Sequence, residues 1–282
     1  AAAAKGRNIF LCAVDGSECS DMALDATLAL KKKFDFVACF HAEQKSKHID
    51  NPNFRAVAIK DHCENKLMPL MPKERYAIIV EERGSNTFMD TLKANVSHYR
   101  NSSLKIALDG AYPDFIVFGA YGRKGAKTVA NTLGSNCAKA LDELPYPCII
   151  MRRPLPVQSR SFLFCVNNTE QSKQGLDILL KLLNPRDKLH LVHLVDNDSD
   201  QKYIEPMRSY YENELEQYAP VDSKLSIEVK PHGEIFTDAI VAFADKEDFD
   251  FFCIAPRAKQ HLSSVSNHIL NHLKSSIILL KI

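Results

Sequence analysis

The chain has 282 residues, 45% of them hydrophobic and 25% charged, with a formal net charge of +1 at pH 7. That balance excludes a disordered or fibrous chain and gives apolar material for about two globular cores. Near-neutral charge gives no general attraction to nucleic acid or an anionic membrane, and no run approaches the roughly 18 apolar residues of a membrane span. Lys5, Gly6 and Arg7, directly after Ala1 to Ala4, do not read as a secretory leader. The expectation is a cytoplasmic protein with neither nucleic acid nor membrane as partner.

In chain order, short β-type runs alternate with stretches of helical period, the pattern of a parallel sheet covered by helices. Ile9 to Val14 reads as the first strand. Ser17 reads as the N-cap of a helix whose apolar residues Met22, Leu24, Ala26, Leu28 and Leu30 run to Lys31 or beyond. Phe36 to Phe40 is the second strand. The pattern is weakest between Glu43 and Ala111, where Tyr76 to Val80 is preferred as third strand and Asn95 to Tyr99 is its rival. Phe115 to Phe118 is the fourth strand. A helix opens after Gly134 and Ser135, turning Ala138, Leu141 and Leu144 inward, and Cys148 to Met151 is the fifth strand.

The chain then repeats itself. Shifted by 152 positions, Phe10 to Ala42 lies over Phe162 to Leu194 without a gap, with identities that include Phe10 with Phe162, Ser20 with Ser172, Asp35 with Asp187 and His41 with His193. Two copies of one domain are the economical explanation. We read them as residues 5–153 and 160–282, joined across Arg153 to Ser159, whose two prolines suit an extended linker. In the second copy Lys202 to Tyr218 and Phe236 to Ala244 read as helices, and Leu225 to Val229 and Phe251 to Ile254 as strands. The fold class expected is α/β: two tandem Rossmann-like domains, each a five-stranded parallel sheet flanked by helices.

Ligands of open parallel sheets bind beyond the carboxyl ends of the strands, so the loops after strands one and four matter most. After the first come Asp15, Gly16 and Ser17. After the fourth come Gly119, Gly122, Arg123 and Lys124, then Gly134, Ser135 and Asn136, a concentration of glycine in a chain that has only ten. Glycine lets backbone amides approach a phosphate, a helix start adds further amides, and Arg123 and Lys124 add positive charge.

The order strand-VDGS-helix, then strand-G-x-x-G-loop-GS-helix and a last strand, resembles the universal stress protein family across both copies. The resemblance implies an adenine-nucleotide-alpha-hydrolase-like fold that binds ATP or another adenine nucleotide, with magnesium where a triphosphate is held. It implies Asp15 near adenine or ribose, the backbone of Ala42 against the base, and Gly119, Gly122, Gly134, Ser135 and Asn136 around ribose and phosphates. In the family pattern nine residues separate the second glycine from the Gly-[Ser/Thr] pair; here Arg123 to Leu133 makes eleven. In the second copy Asn167 and Asn168 replace Asp15 and Gly16, and Ala255, Ala258, Ser263 and Ser264 replace Gly119, Gly122, Gly134 and Ser135. No nucleotide is expected there, and that copy reads as a structural or regulatory partner.

Plainer readings stand beside these. Asp15 can be a turn residue, and the glycines can serve a tight strand exit. His41 and His193 recur at matching strand ends and are read as satisfied histidines. His268 and His272, four apart, lack an evident third ligand for a metal, and Cys19 is read as inert. The eight cysteines contain no CxxC pair, so no disulfide framework is expected. VDGSECS at Val14 to Ser20 is only loosely like the SGGxDS signature of ATP pyrophosphatases, and neither a Walker lysine motif nor a nucleophile elbow is present. A nucleotide-binding stress or signalling protein is therefore favoured, with a ligand-free tandem scaffold and a weak ATPase as alternatives. The resemblance also implies pairing of the copies through Cys148 to Met151 and Ile277 to Lys281, which would remove two apolar edges; further homodimerisation is compatible with it.

Overall fold

Ile9–Ala13 (β1) carries apolar side chains to both faces, and every one of them is buried, as a central parallel strand covered on both sides requires. Ser17 caps the helix that follows, accepting a hydrogen bond from the Ser20 amide, and Glu18–Leu30 (α1) ends on Lys31. The buried face of α1 is Ala23, Leu24, Ala26, Thr27 and Leu30, whereas Met22 and Leu28 are only partly covered. The chain is seen in a computed structural model that describes residues 7–43, 51–82, 84, 86–97, 111–122, 133–156, 158–196, 201–218, 222–257 and 262–282. It divides into two units, Ala1–Pro154 and Leu155–Ile282.

In the first unit Phe36–Glu43 (β2), Ala56–Leu67 (α2), Tyr76–Glu82 (β3), Phe88–Ser97 (α3), Phe115–Gly119 (β4), Ser135–Glu143 (α4) and Cys148–Met151 (β5) follow α1. The strand order is β3-β2-β1-β4-β5, with parallel pairing throughout. The third strand is thus the Tyr76 segment, and Asn95 of the rival segment lies in α3. On α4 the buried residues are Cys137, Ala140 and Leu141, and Ala138 is exposed. The expectation of Ala138 facing inward fails because the helical phase is set from Ser135, which puts positions 137, 140, 141 and 144 on one stripe.

The second unit contains Ser161–Cys165 (β6), Glu170–Leu182 (α5), Lys188–Val195 (β7), Gln201–Tyr218 (α6), Asp222–Val229 (β8), Phe236–Glu247 (α7), Phe251–Ile254 (β9), Ser264–His272 (α8) and Ser276–Leu279 (β10). Its order is β8-β7-β6-β9-β10, again parallel. One aromatic pair marks the core in each unit: Phe10 stacks on Phe115 at 5.3 Å between ring centroids, and Phe162 on Phe251 at 4.9 Å. In both, the first strand has neighbours reached by connections of opposite direction, which opens a crevice at its carboxyl end.

Candidate functional site

The crevice of the first unit begins at Asp15. Its Oδ1 accepts from the Ser17 amide at 3.0 Å and the Ser17 hydroxyl at 2.6 Å, while its own amide donates to Ser20 Oγ at 3.3 Å. This Asx turn delivers the chain from β1 into α1. Gly16 holds φ at +82°, and a Cβ there would sit 2.8 Å from the Asn53 carbonyl. The residue is glycine for conformation and for space together.

Gly122 lies across the crevice, where a Cβ would stand 3.0 Å from Asp15 Oδ2. The loop after β4 therefore brings its second glycine against the acid that follows β1. Gly134 returns to the same place: its amide donates to the Ala120 carbonyl at 2.8 Å, and a Cβ on it would meet that oxygen at 3.2 Å. Gly134 is also the N-cap of α4 and offers no side chain to its first turn. The amides at that helix start are thus not consumed by a cap, and Ser135 and Asn136 beside them are exposed. The close backbone and the helix start suit an anionic group, and the Asp15 carboxylate beside them suits a hydroxyl or N–H donor.

Gly119 is placed differently. A Cβ there would lie 2.5 Å from both the carbonyl carbon and oxygen of Cys19 and 2.7 Å from its Cβ, so this glycine answers to the contact between β4 and α1. Ala42 is buried near the end of β2. Arg123 and Lys124 lie outside the described residues, as does most of the loop that separates Gly122 from Gly134.

His41 Nδ1 donates to the Val14 carbonyl at 2.8 Å, and His193 Nδ1 to the Val166 carbonyl at the same distance. The repeated histidine thus ties the second strand of each unit to the exit of the first. Burial pushes the Cys19 thiol up; a bond to the Tyr121 backbone works against this, and Asp15 and Glu18 add to it. A thiol held protonated is a poor nucleophile. His268 Nε2 is 2.8 Å from Asp238 Oδ1 and its ring stacks on His272 at 4.1 Å. Among the described residues no group of three or more His, Cys, Asp or Glu side chains is arranged to hold a metal ion, and no helix is long and apolar enough to cross a membrane.

No protein-family model matches the sequence, and no curated protein matches it. Solved structures do share its architecture. PA1789, a functionally unknown protein from Pseudomonas aeruginosa PAO1, is similar with a TM-score of 0.66 at 15% identity, over 97% of this chain and 92% of that one. A candidate universal stress protein from Pseudomonas aeruginosa UCBPP-PA14 gives 0.63 at 15% identity, over 97% and 92%. The cytoplasmic domain of a prokaryotic cation chloride cotransporter gives 0.56 at 11% identity, over 97% and 94%. These likenesses are of fold: α/β architecture with parallel sheets flanked by helices, matched over nearly the whole chain.

Proposed function

We propose that the chain is a cytoplasmic tandem member of the universal stress protein family that binds an adenine nucleotide in its first unit, the second unit serving a structural or regulatory role. The observation that carries the reading is the meeting of Asp15 and Gly122, 3.0 Å from acid oxygen to the position of a Cβ. A carboxylate that can accept from ribose hydroxyls then faces a glycine turn whose amides suit phosphate. In this reading Ala42 lies against the base, Gly122 lines the ribose, Gly119 sets the packing of β4 on α1 beside it, and Gly134, Ser135 and Asn136 hold phosphates, with Arg123 and Lys124 adding charge and magnesium accompanying a triphosphate.

The second unit supports the assignment by contrast. Asn167 makes the same turn with a neutral amide, its Oδ1 accepting from the Thr169 amide at 3.0 Å, so the negative charge of Asp15 is not needed to form the turn. Asp15→Asn should therefore keep the fold and weaken ATP or AMP binding by about tenfold or more, and Gly122→Val should abolish it. The check is chromatography of nucleotide released on denaturation, with calorimetric titration of the purified chain. No released nucleotide and no heat with millimolar ATP would overturn the reading and leave the ligand-free scaffold. Equal binding by Asp15→Asn would remove Asp15 from the site.

A further inference from the structure

The second unit holds a cavity of about 390 Å³ beyond the carboxyl end of β7. Val195 of β7 and Ile204 and Met207 of α6 give it apolar surface, Leu194, whose side chain packs in the core with Ala239 and Ile240, also borders it, and Phe236, the first residue of α7, completes the apolar lining. Ile204 and Met207 are three apart and so share one helix face, and both are buried, while Phe236 is 41% exposed. A cavity of this size lies within the range of small-molecule sites, and the end of a parallel strand is where such sites form.

Its polar atoms favour one kind of guest. His193 lines the cavity with Nδ1 donating to the Val166 carbonyl, so that Nε2 is the ring nitrogen left for a guest. Asp196 also lines it and only accepts; Lys230 Nζ, 3.2 Å from that carboxylate, is held as well by the Glu234 carbonyl at 2.7 Å. Asn168 is the remaining polar lining residue, and among the described residues no glycine or cationic side chain lines the cavity. The first unit offers the reverse at its crevice: glycine turns and a helix start suited to an anion.

We propose that this cavity binds a small, mainly apolar molecule that carries an amine or another N–H donor and no phosphate. The inference concerns the second unit and stands whether or not the first binds nucleotide.

The chain has no tryptophan, so Phe236→Trp makes a single fluorescent reporter at the edge of the cavity. Phenethylamine should shift its emission and saturate at millimolar concentration, the strength open to so small a molecule. Phenylacetate, with the same ring and a carboxylate, should bind about tenfold more weakly, AMP should leave the reporter unmoved, and His193→Phe should weaken phenethylamine severalfold. Ligand-observed NMR on the unsubstituted chain should give the same order for the amine and the acid, independently of how the reporter variant folds. Absence of saturable phenethylamine binding in both measurements overturns the proposal. So does phenylacetate binding as tightly, or AMP moving the reporter as strongly, which would make the cavity an anion or nucleotide site.

Discussion

The two units solve the same structural problems with different chemistry, and the differences separate what the fold requires from what a ligand would require. Beneath the sheet, Asp35 and Asp187 occupy matching positions and each accepts backbone amides, from Asn8 and Lys32 in one unit and from Arg160 and Asn184 in the other. The first unit adds a long amide contact from Asn8 Nδ2 at 3.4 Å; the second adds the Arg160 guanidinium, with Nη2 2.6 Å from Asp187 Oδ2 and both side chains buried. The carboxylate is common to the two turns, and its counter-ion is peculiar to one.

Removing that counter-ion should have the largest effect. Arg160→Met would leave Asp187 buried with backbone amides alone and should destabilise the second unit by about 3 kcal/mol, against about 1 kcal/mol in the first unit for Asn8→Ala. Urea unfolding read by region-resolved hydrogen exchange measures both. Equal losses would mean that the backbone bonds carry the turn and the guanidinium adds nothing.

A second contrast lies where the first helix of each unit crosses the end of a strand. In the first unit the glycine is on the strand, Gly119, against the backbone of Cys19. In the second Ala255 follows directly after β9, and the glycine is on the helix: a Cβ at Gly175 would stand 2.9 Å from the Ala255 Cβ and 3.1 Å from Phe164 Cζ. Where position 255 carries alanine, the close approach is met by glycine at 175, so packing alone gives a reason for the different placing of glycine in the two units. Gly119→Ala should cost about 3 kcal/mol, because backbone rather than a flexible side chain stands in the way. Gly175→Ala should cost less, about 1 to 2 kcal/mol, since the gain in helix propensity offsets part of the crowding against the Ala255 Cβ. Chemical denaturation of both variants checks the ranking, and a tolerated Gly119→Ala would return that glycine to a ligand role.

Much of this was legible in the sequence. Fully apolar runs such as Cys148–Met151 and Phe251–Ile254 set strand bounds that the structure keeps, and the 152-residue offset gives the duplication directly. Ser17 was legible as a cap because its chemistry is local. The purpose of Gly119 was not, because glycine in a loop looks alike whether it makes room for a ligand or for Cys19 on a helix a hundred residues earlier. Nor was the cavity beside Phe236, which depends on how α6 and α7 meet the end of β7. The exposed Ala138 shows a further limit, since one residue of phase decides which side of a short helix is buried.

Position 190 distinguishes the units in acid. His190 of β7 matches Ala38 of β2. It is buried against the rings of Phe243 and Phe249, with Nε2 2.7 Å from Ser226 Oγ. Burial, with Lys224 adding to it and Glu247 and Glu228 opposing, lowers its pKa from 6.5 to about 4. The unfolded chain takes up the proton first, so stability is full above pH 6.5 and falls as pH drops towards 4. The loss should be on the order of 2 kcal/mol and confined to the second unit. Thermal unfolding from pH 7 to 4 should show this limb in the parent and a flatter one in His190→Gln; identical profiles would exclude His190 as its source.

The smallest contrast is at the surface between the first two helices of each unit. Lys66 Nζ of α2 lies 2.7 Å from both Asp21 and Asp25 of α1, and His62 Nε2 is 2.6 Å from Asp21. Burial tends to raise the Asp21 carboxyl, yet its bonds to Lys66 and His62 outweigh this and leave it below the usual carboxylate range. At the position matching Asp21 the second unit has Lys173, whose Nζ sits 4.8 Å from the ring centroid of Tyr210 on α6. A helix pair held by partly exposed charges and one held by a cation over a ring should respond differently to salt. Lys66→Met should cost about 0.5 kcal/mol at low ionic strength and almost nothing in 1 M NaCl, while Lys173→Met should cost a similar amount at both. Paired denaturation curves at the two salt concentrations measure the difference. A salt-independent loss at Lys66 would assign its contribution to the packing of its methylene stem against α1 rather than to the two aspartates.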